Sequence, residues 1–502
     1  MERAELSLSD FENDHRRMVQ KANEEMQTAT YIDDPYRLQY HLHPPMNWMN
    51  DPNGLIQWNG EYHVFFQHNP FGSNWGSMHW GHFRSKDLIN WVLAPIALAP
   101  SASYDKDGCY SGCAIDDHGT LTLFYTGHSL VDNIQTEVQC VARSTDGIVF
   151  EKSPHNPILS CPESEYSIDF RDPKVWFALG QWYMVVGSGK GGKGRALLFK
   201  SDDLSNWSFI SVCAESDGTL GHIWECPDLF QLEDKHVLVV SPMGLERPTN
   251  IYFVGHMNYE SGQFQMGSMG YLDRGFDFYA GQTFRDENGR RILLGWMHSP
   301  GAPIPTQQYG WAGAMTVPRE LSLRNDNSLC IRPIDELQSL RSRCLHSGPT
   351  DALCCDDHLE LDFDATTIEI ISMINLEETS AKEFGIRVGC SAEGSTYTEI
   401  SYQSETRTVI VDRSKSGFRV NGISKVVLAH QTVLKLHIFV DRSSVEVFVN
   451  DREVITNRIY PDGSHSGITL FAIDGCLKLN SLDIWHLKSS LPETMMEEFR
   501  DV

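Results

Sequence analysis

Asn59-Gly60-Glu61-Tyr62-His63-Val64-Phe65-Phe66 is the stretch on which the reading of this chain turns. A turn pair leads into an aromatic and β-branched run, the local signature of a hairpin strand. The phrase returns at His118-Gly119-Thr120-Leu121-Thr122-Leu123-Phe124-Tyr125 and at Leu179-Gly180-Gln181-Trp182-Tyr183-Met184-Val185-Val186. Weaker copies stand at Glu233-Asp234-Lys235-His236-Val237-Leu238-Val239-Val240 and Asn288-Gly289-Arg290-Arg291-Ile292-Leu293-Leu294-Gly295. Taking Gly60, Gly119, Gly180, Asp234 and Gly289 as the turn position, the steps are 59, 61, 54 and 55 residues. A second echo runs from Ser85-Lys86-Asp87-Leu88 to Trp91, from Ser144-Thr145-Asp146-Gly147 to Phe150 and from Ser201-Asp202-Asp203-Leu204 to Trp207, in steps of 59 and 57. A generic β-sandwich would not hold a constant period. Five units of about 57 residues, each several strands long, predict a five-bladed β-propeller.

Outward from the repeat, the chain is all-β with two exceptions. Residues 9–26 have helical spacing, with Ser9 and Glu12 as a capping box and Phe11, Met18, Ala22 and Met26 on one face. This N-terminal extension, residues 1–34, is expected to pack as a surface helix on the main domain. The propeller takes residues 35–333. A helical piece at Ile334-Asp335-Glu336-Leu337-Gln338-Ser339-Leu340-Arg341 opens a linker over 334–349. From 350 to 502 the strand pattern returns without the period, at Leu359-Glu360-Leu361-Asp362-Phe363, Lys435-Leu436-His437-Ile438-Phe439-Val440 and Ser444-Val445-Glu446-Val447-Phe448-Val449. Alternation at or near period two predicts a C-terminal β-sandwich domain. The acidic end from Glu493 to Val502 is expected to fray.

The 502 residues suffice for two domains with a large core. With 41 basic against 67 acidic residues the net charge is −26, which disfavours nucleic acid and anionic membrane as partners. The 12 cysteines are scattered, and the close pairs Cys109/Cys113 and Cys354/Cys355 lack zinc-site spacing. Free thiols in a reducing compartment are therefore expected. The charged start Met1-Glu2-Arg3-Ala4-Glu5-Leu6 lacks the apolar core of a signal peptide, and no run is long enough for a membrane span, so the expected location is cytoplasmic. The sequon Asn206-Trp207-Ser208 does not outweigh that.

Just upstream of each turn-and-strand unit sits an unusual pair: Asn50-Asp51, Ser111-Gly112, Arg171-Asp172, Glu225-Cys226 and Tyr279-Ala280, in steps of 61, 60, 54 and 54. Equivalent positions in a propeller are related by rotation about its axis, so on the innermost strands all five pairs face one channel mouth. Asp51, Asp172 and Glu225 would then converge. Carboxylates in Asn-Asp-Pro or Arg-Asp-Pro can simply cap turns, but turn-capping has no reason to gather three of them on an axis. Clustered acids shift one another's pKa values and mark functional sites. Asn50, Asn53 and Gly54 offer donors that keep Asp51 ionised. Glu225, between Trp224 and Cys226-Pro227, has a less polar setting that should raise its pKa toward proton donation. One ionised and one protonated carboxyl flanking a bond is what glycoside hydrolysis needs. Trp48, Trp75, Trp80 and Trp296 would supply flat apolar faces for sugar rings, and Tyr110, Cys226 and Tyr279, in or beside the inward pairs, join the candidate substrate-binding set.

Trp48-Met49-Asn50-Asp51-Pro52-Asn53-Gly54, Gln67-His68-Asn69-Pro70 with Trp75-Gly76, Tyr110-Ser111-Gly112, Arg171-Asp172-Pro173 and Glu225-Cys226-Pro227-Asp228 together resemble the invertase and levanase glycoside hydrolases of family 32. So does Asp441-Arg442-Ser443-Ser444-Val445-Glu446-Val447-Phe448 in the C-terminal domain. The resemblance spans about residues 35 to 488. It implies retaining cleavage of a β-fructofuranosyl bond in sucrose or sucrose 6-phosphate, with Asp51 as nucleophile, Glu225 as acid/base and Asp172 as transition-state stabiliser. By the same match Asn50, Gln67, Trp75, Ser111 and Arg171 would bind the fructosyl unit. Cys113 stands where the family often has Ser. No metal or organic cofactor is implied. A fructan hydrolase or fructosyltransferase on the same triad is the alternative within enzymes, and a non-catalytic sugar-binding propeller the alternative outside them. The sequence leaves the oligomeric state open.

Overall fold

The structure, a computed structural model, describes residues 8–491 apart from 29–31, 33, 350–352, 355–357, 362, 364, 392, 419 and 462–466. The tail expected to fray lies outside the described residues. Five antiparallel sheets follow one another from residue 47 to 333. Their first strands are Asn47–Trp58, Gly108–Asp117, Phe170–Ala178, Ile223–Leu232 and Tyr279–Arg285. Each touches the next, and the last touches the first, so the five close a ring around a central channel. The ring is latched by the short strand Trp311–Ala312, which leaves blade five to pair in parallel with Asn47 and Trp48 of blade one.

Both sequence echoes have local physical causes. The turn pairs Asn59-Gly60, His118-Gly119 and Leu179-Gly180 hold positive φ at both residues, as a two-residue hairpin turn of type I′ requires. The second echo joins third and fourth strands. Asp87, Asp146 and Asp203 each accept the backbone N–H bonds of the residues two and three ahead, at 2.8 to 3.0 Å, and Trp91 and Trp207 donate back to the carbonyls of Leu88 and Leu204. The runs after the turns are continuously apolar because each second strand is buried on both faces. Phe65 packs with Leu123 and Tyr125 of blade two, whereas Val64 and Phe66 pack towards blade five. In blade three, Met184 and Val186 meet blade two, and Tyr183 and Val185 meet blade four. Blade-on-blade burial is therefore the propeller's core.

The helix spans Leu8–Thr28, so Ser9 lies inside it and is not its N-cap. Ala22 and Met26 of the expected stripe are buried, and Asn23 Oδ1 accepts the N–H of Ile96 at 2.9 Å. The second domain is a sandwich of two six-stranded sheets. Its first strand, Arg341–Gly348, pairs with Leu479–Leu487. The expected linker over 334–349 thus shrinks to the 3-10 turn Asp335–Leu340, because those residues have a sheet edge to join. The expectation of free thiols fails at Cys354 and Cys476, which form a disulfide across the strands Leu353–Cys354 and Cys476–Leu477. Their sequence separation of 122 hid the pairing. The other described cysteines are free.

The two domains meet over buried charge. Arg319 of blade five, fully buried, donates to Asp273 Oδ2 at 2.9 Å and to Glu446 Oε2 at 2.5 Å. Glu446 also takes His41 Nε2 at 2.9 Å, while Asp441 takes His41 Nδ1 at 2.8 Å. Burial works against charging His41, but these two carboxylates outweigh it and hold the imidazole above its ordinary pKa. Breaking such a cluster leaves buried charge uncompensated, which costs about 3–5 kcal/mol. Glu446→Ala is therefore expected to lower stability in urea unfolding by about that amount, whereas Glu360→Ala, on an exposed strand of the far sheet, should leave it unchanged.

Candidate active site

Each inner strand breaks its pairing register at the same level: between Met49 and Pro52, Tyr110 and Gly112, Arg171 and Lys174, Glu225 and Asp228, and Tyr279 and Gln282. These bulges fall on the five pairs named above. In blades three, four and five the second member adopts left-handed φ: Asp172 at 65°, Cys226 at 49° and Ala280 at 52°. A regular strand sends consecutive side chains to opposite faces, whereas a bulge re-aims them. Asn50 with Asp51, Tyr110 with Ser111 and Arg171 with Asp172 accordingly all line one pocket of about 450 Å³ at the channel mouth. All of its lining comes from the propeller.

Asp51 Oδ2 accepts from Ser111 Oγ at 2.8 Å, and Oδ1 from Asn50 Nδ2 at 3.1 Å. Asn50 is itself fixed by Trp48 Nε1 at 2.6 Å. Asn53, expected beside Asp51, instead lies against Ser111, whose Oγ its amide nitrogen reaches at 3.2 Å when the amide is turned to satisfy its neighbours, and so acts one bond removed. Asp172 hangs from the Cys226 N–H, which donates to Oδ2 at 2.8 Å, while its own N–H donates to Thr126 Oγ1 at 2.9 Å. Glu225 Oε1 accepts from Arg171 Nε at 3.0 Å and Oε2 from Tyr279 OH at 2.5 Å. The less polar setting expected for Glu225 is thus not what its carboxyl meets: Trp224 is buried between blades three and four, and a guanidinium and a phenol hold the acid.

Burial pushes the Asp51 carboxyl above its ordinary pKa, against the bonds from Ser111 and Asn50, and the charge of Glu225 adds to the rise. Asp172 is pushed up to about 8, first by burial and then by Glu225, with Arg171 opposing. Burial and the neighbouring Glu225 charge thus favour keeping a proton on Asp172 at neutral pH. Arg171 is the counterweight. Its NH1 bonds Asp169 at 2.8 Å and Glu137 at 3.0 Å, and Glu137 in turn takes the Phe170 N–H at 2.8 Å.

Of the sequence-predicted residues, Trp48, Asn50, Gln67, Trp75, Tyr110, Ser111, Arg171, Tyr279 and Trp296 line the pocket with the three acids. Cys226 does not. It is buried behind the carboxylates, with Sγ 3.7 Å from Asp51 Oδ2, because its left-handed backbone spends the N–H on Asp172. Trp80 is also displaced; it is wholly buried between blades one and two. Trp75 stands 58% exposed at the rim, edge-on to Tyr110, whose ring stacks on His128 at 4.3 Å. Sequence reasoning missed His128, Gln135, Glu137, Asp169 and Met243. The residues at 128–137 lie on the outer hairpin of blade two and Met243 ends a second strand, so the period does not flag them. Asp169, one residue ahead of an inner strand, could have been found by asking what neutralises Arg171.

The chain belongs to glycosyl hydrolase family 32. The family's N-terminal domain matches residues 41–333 and its C-terminal domain residues 336–486. A sucrose-6-phosphate hydrolase of Escherichia coli is 40% identical over 466 residues, 89% of this chain and 94% of its own. A raffinose invertase, also of Escherichia coli, is 40% identical over 463 residues, 89% of this chain and 94% of its own. Among solved structures, a β-fructofuranosidase of Bombyx mori superposes with a TM-score of 0.80 at 35% identity, covering 95% of this chain and 98% of that one.

Asp172 stabilises the fold most when protonated. That contribution is complete below its ordinary 3.8, declines as pH rises, and is gone above about 8. Asp172→Asn, which cannot ionise, should therefore melt higher than the native protein at pH 8, with an advantage that shrinks steadily towards pH 4. Scanning calorimetry across that range checks it.

Proposed function

We propose that the protein is a retaining β-fructofuranosidase that hydrolyses sucrose, with Asp51 as nucleophile, Glu225 as acid/base and Asp172 as the carboxyl that binds fructosyl hydroxyls. The observation that carries this reading is the division of labour among the three acids. Asp51 is held from behind by two donors, which orients a lone pair into the pocket. Glu225 is held from the side by Arg171 and Tyr279. Asp51 attacks the anomeric carbon while Glu225 protonates the departing oxygen, so glucose leaves with the proton and fructose stays esterified to Asp51. Water enters, gives its proton to Glu225, and its oxygen frees fructose from Asp51. The net change is sucrose and water to glucose and fructose. The acid step starts from the proton already held among the carboxyls. Sugar hydroxyls donating to Asp172 favour its ionised form, and the proton passes to Glu225.

The same charges select the substrate. Asp51, Glu137, Asp169, Asp172 and Glu225 line the pocket, and Arg171 is committed to three of them. A phosphate dianion roughly 8 Å from one of these charges meets about 2 kcal/mol of repulsion per charge pair at an effective dielectric of about 20. Sucrose is thus the favoured substrate over sucrose 6-phosphate. Released glucose or glucose 6-phosphate, measured for both, should give a kcat/KM for sucrose at least about tenfold higher. Release from neither, nor from raffinose or inulin, removes the hydrolase reading, and a preference for sucrose 6-phosphate removes the charge argument alone.

Leaving-group dependence separates the two carboxylates. With Glu225→Ala, sucrose loses general-acid help worth about 10²–10⁴-fold, whereas an aryl fructoside needs no proton to depart. A burst of phenol followed by slow turnover, rescued by azide, is expected. Asp51→Ala removes the nucleophile, so neither substrate quality nor azide restores the retaining route. Equal substrate dependence in both variants, or a burst with Asp51→Ala, reverses the assignment.

A further inference from the structure

The propeller channel has a second mouth. The catalytic carboxylates sit at the starts of the inner strands; at the ends of the strands of blades three, four and five opens a cavity of about 780 Å³. That size suits a small-molecule ligand, and nothing in the proposed reaction uses it.

Its charge is the anomaly. Arg285 and Arg291 stand directly opposite one another across the first hairpin of blade five, and both line the cavity. Like charges at directly opposed positions destabilise an antiparallel pair. Among the described residues, no carboxylate comes within 4.0 Å of either guanidinium. Of the acids lining or flanking the cavity, Glu233 is exposed and its carboxylate accepts only the Leu323 N–H at 3.3 Å, and the others are paired elsewhere. Arg290 takes both Asp286 and Glu336, and Arg332 takes Glu320. Arg291 lies over the Phe230 ring at 4.4 Å and, among the described residues, donates only a long bond to Thr283 Oγ1 at 3.4 Å. Burial pushes its guanidinium down to about 10, against the pull of Asp228, and Arg285 adds to the fall. Lys174 brings a further cation to the cavity, where it is bonded to Asp228 at 3.1 Å and to the Thr283 carbonyl at 2.5 Å. Among the described residues, the two opposed arginines are thus left without a carboxylate partner. Half-buried Arg291 carries an unneutralised charge, which costs stability; a bound anion removes the cost.

Guanidinium pairs match phosphate oxygens in geometry as well as charge. Half-buried Trp176, stacked on Tyr183 and fixed by its Nε1 bond to Tyr259 OH at 3.2 Å, also lines the cavity and brings aromatic surface to it. We propose that this cavity binds a small phosphate-bearing molecule, its phosphate between Arg285 and Arg291 and an attached sugar ring against Trp176. The ligand chemistry is shared by inorganic phosphate and by hexose phosphates.

The test follows the unfolding temperature of the full chain with inorganic phosphate or glucose 6-phosphate at low millimolar concentration. Chloride of equal ionic strength is the control, and saturating fructose in every sample keeps the catalytic pocket filled. The native protein should melt several degrees higher with the anion. Arg285→Met and Arg291→Met should both lose that rise, and Arg291→Met should melt no lower than the native protein without ligand, since it deletes an uncompensated charge. A merely structural arginine would show the reverse: a lower ligand-free melting point and an intact response. Arg285 is exposed, so its variant tests the proposal even where Arg291→Met folds poorly. A larger rise with glucose 6-phosphate, reduced to the inorganic level by Trp176→Ala, identifies the sugar phosphate; equal rises identify inorganic phosphate. The proposal is overturned if neither anion exceeds the chloride control, or if the rise survives in both arginine variants.

Discussion

The pocket depends on one backbone constraint, the register break that every inner strand makes at the same level. Without it, a pleated strand could show the channel either Asn50 or Asp51, either Arg171 or Asp172. With it, both members of each pair enter, and a narrow mouth acquires enough polar side chains to hold a sugar on several sides. The break also frees backbone donors. The Cys226 N–H, released from the ladder, is what holds Asp172. Bulges commonly serve to re-aim side chains at sheet rims and active sites. Here five of them, in register around an axis, build the site.

That arrangement was legible in part. A hairpin turn that needs positive φ at two residues leaves Asn-Gly or His-Gly in the sequence, and a strand buried on both faces leaves an unbroken apolar run, so the blades could be counted from residues 59–66 and their echoes. The acids could be placed because they share a position in the period. Residues outside the inner strands carry no such index. Glu137 is positioned by a hairpin that lengthens blade two alone, and its role shows only when its carboxylate meets Arg171. Cys226 was misplaced because sequence position does not reveal a left-handed φ, which turned its thiol behind the acids. The disulfide escaped for a related reason: two strands far apart in the chain carry its halves.

Among the described residues the sandwich lends no side chain to the pocket, yet its strands brace blade five. Arg319 belongs to that blade and is locked by Glu446 and Thr456 from the other domain. Blade five supplies Tyr279 and Trp296 to the pocket. The charged motif at 441–446 therefore acts through position: it fixes the scaffold behind a phenol that touches Glu225. Such a buried network is tolerable only when fully satisfied, and Arg319, His41 and their carboxylates nearly saturate one another.

The latch at Trp311–Ala312 has a consequence for synthesis. Its partner is the opening strand of the ring, so residue 48 waits for residue 312 before the circle is complete. As the chain leaves the ribosome N-terminus first, four blades can form local hairpins while the first and last inner strands stay apart. Long-range closure of this kind is slow, because the entropy of bringing distant segments together is lost before any contact compensates for it. Until then Val64 and Phe66, which finally pack towards blade five, lie bare. The catalytic mouth is equally late, since Tyr279 reaches Glu225 only when blade five docks. Activity in this architecture is thus a report on the completed circle, and truncation anywhere before the latch removes the site as well as the scaffold.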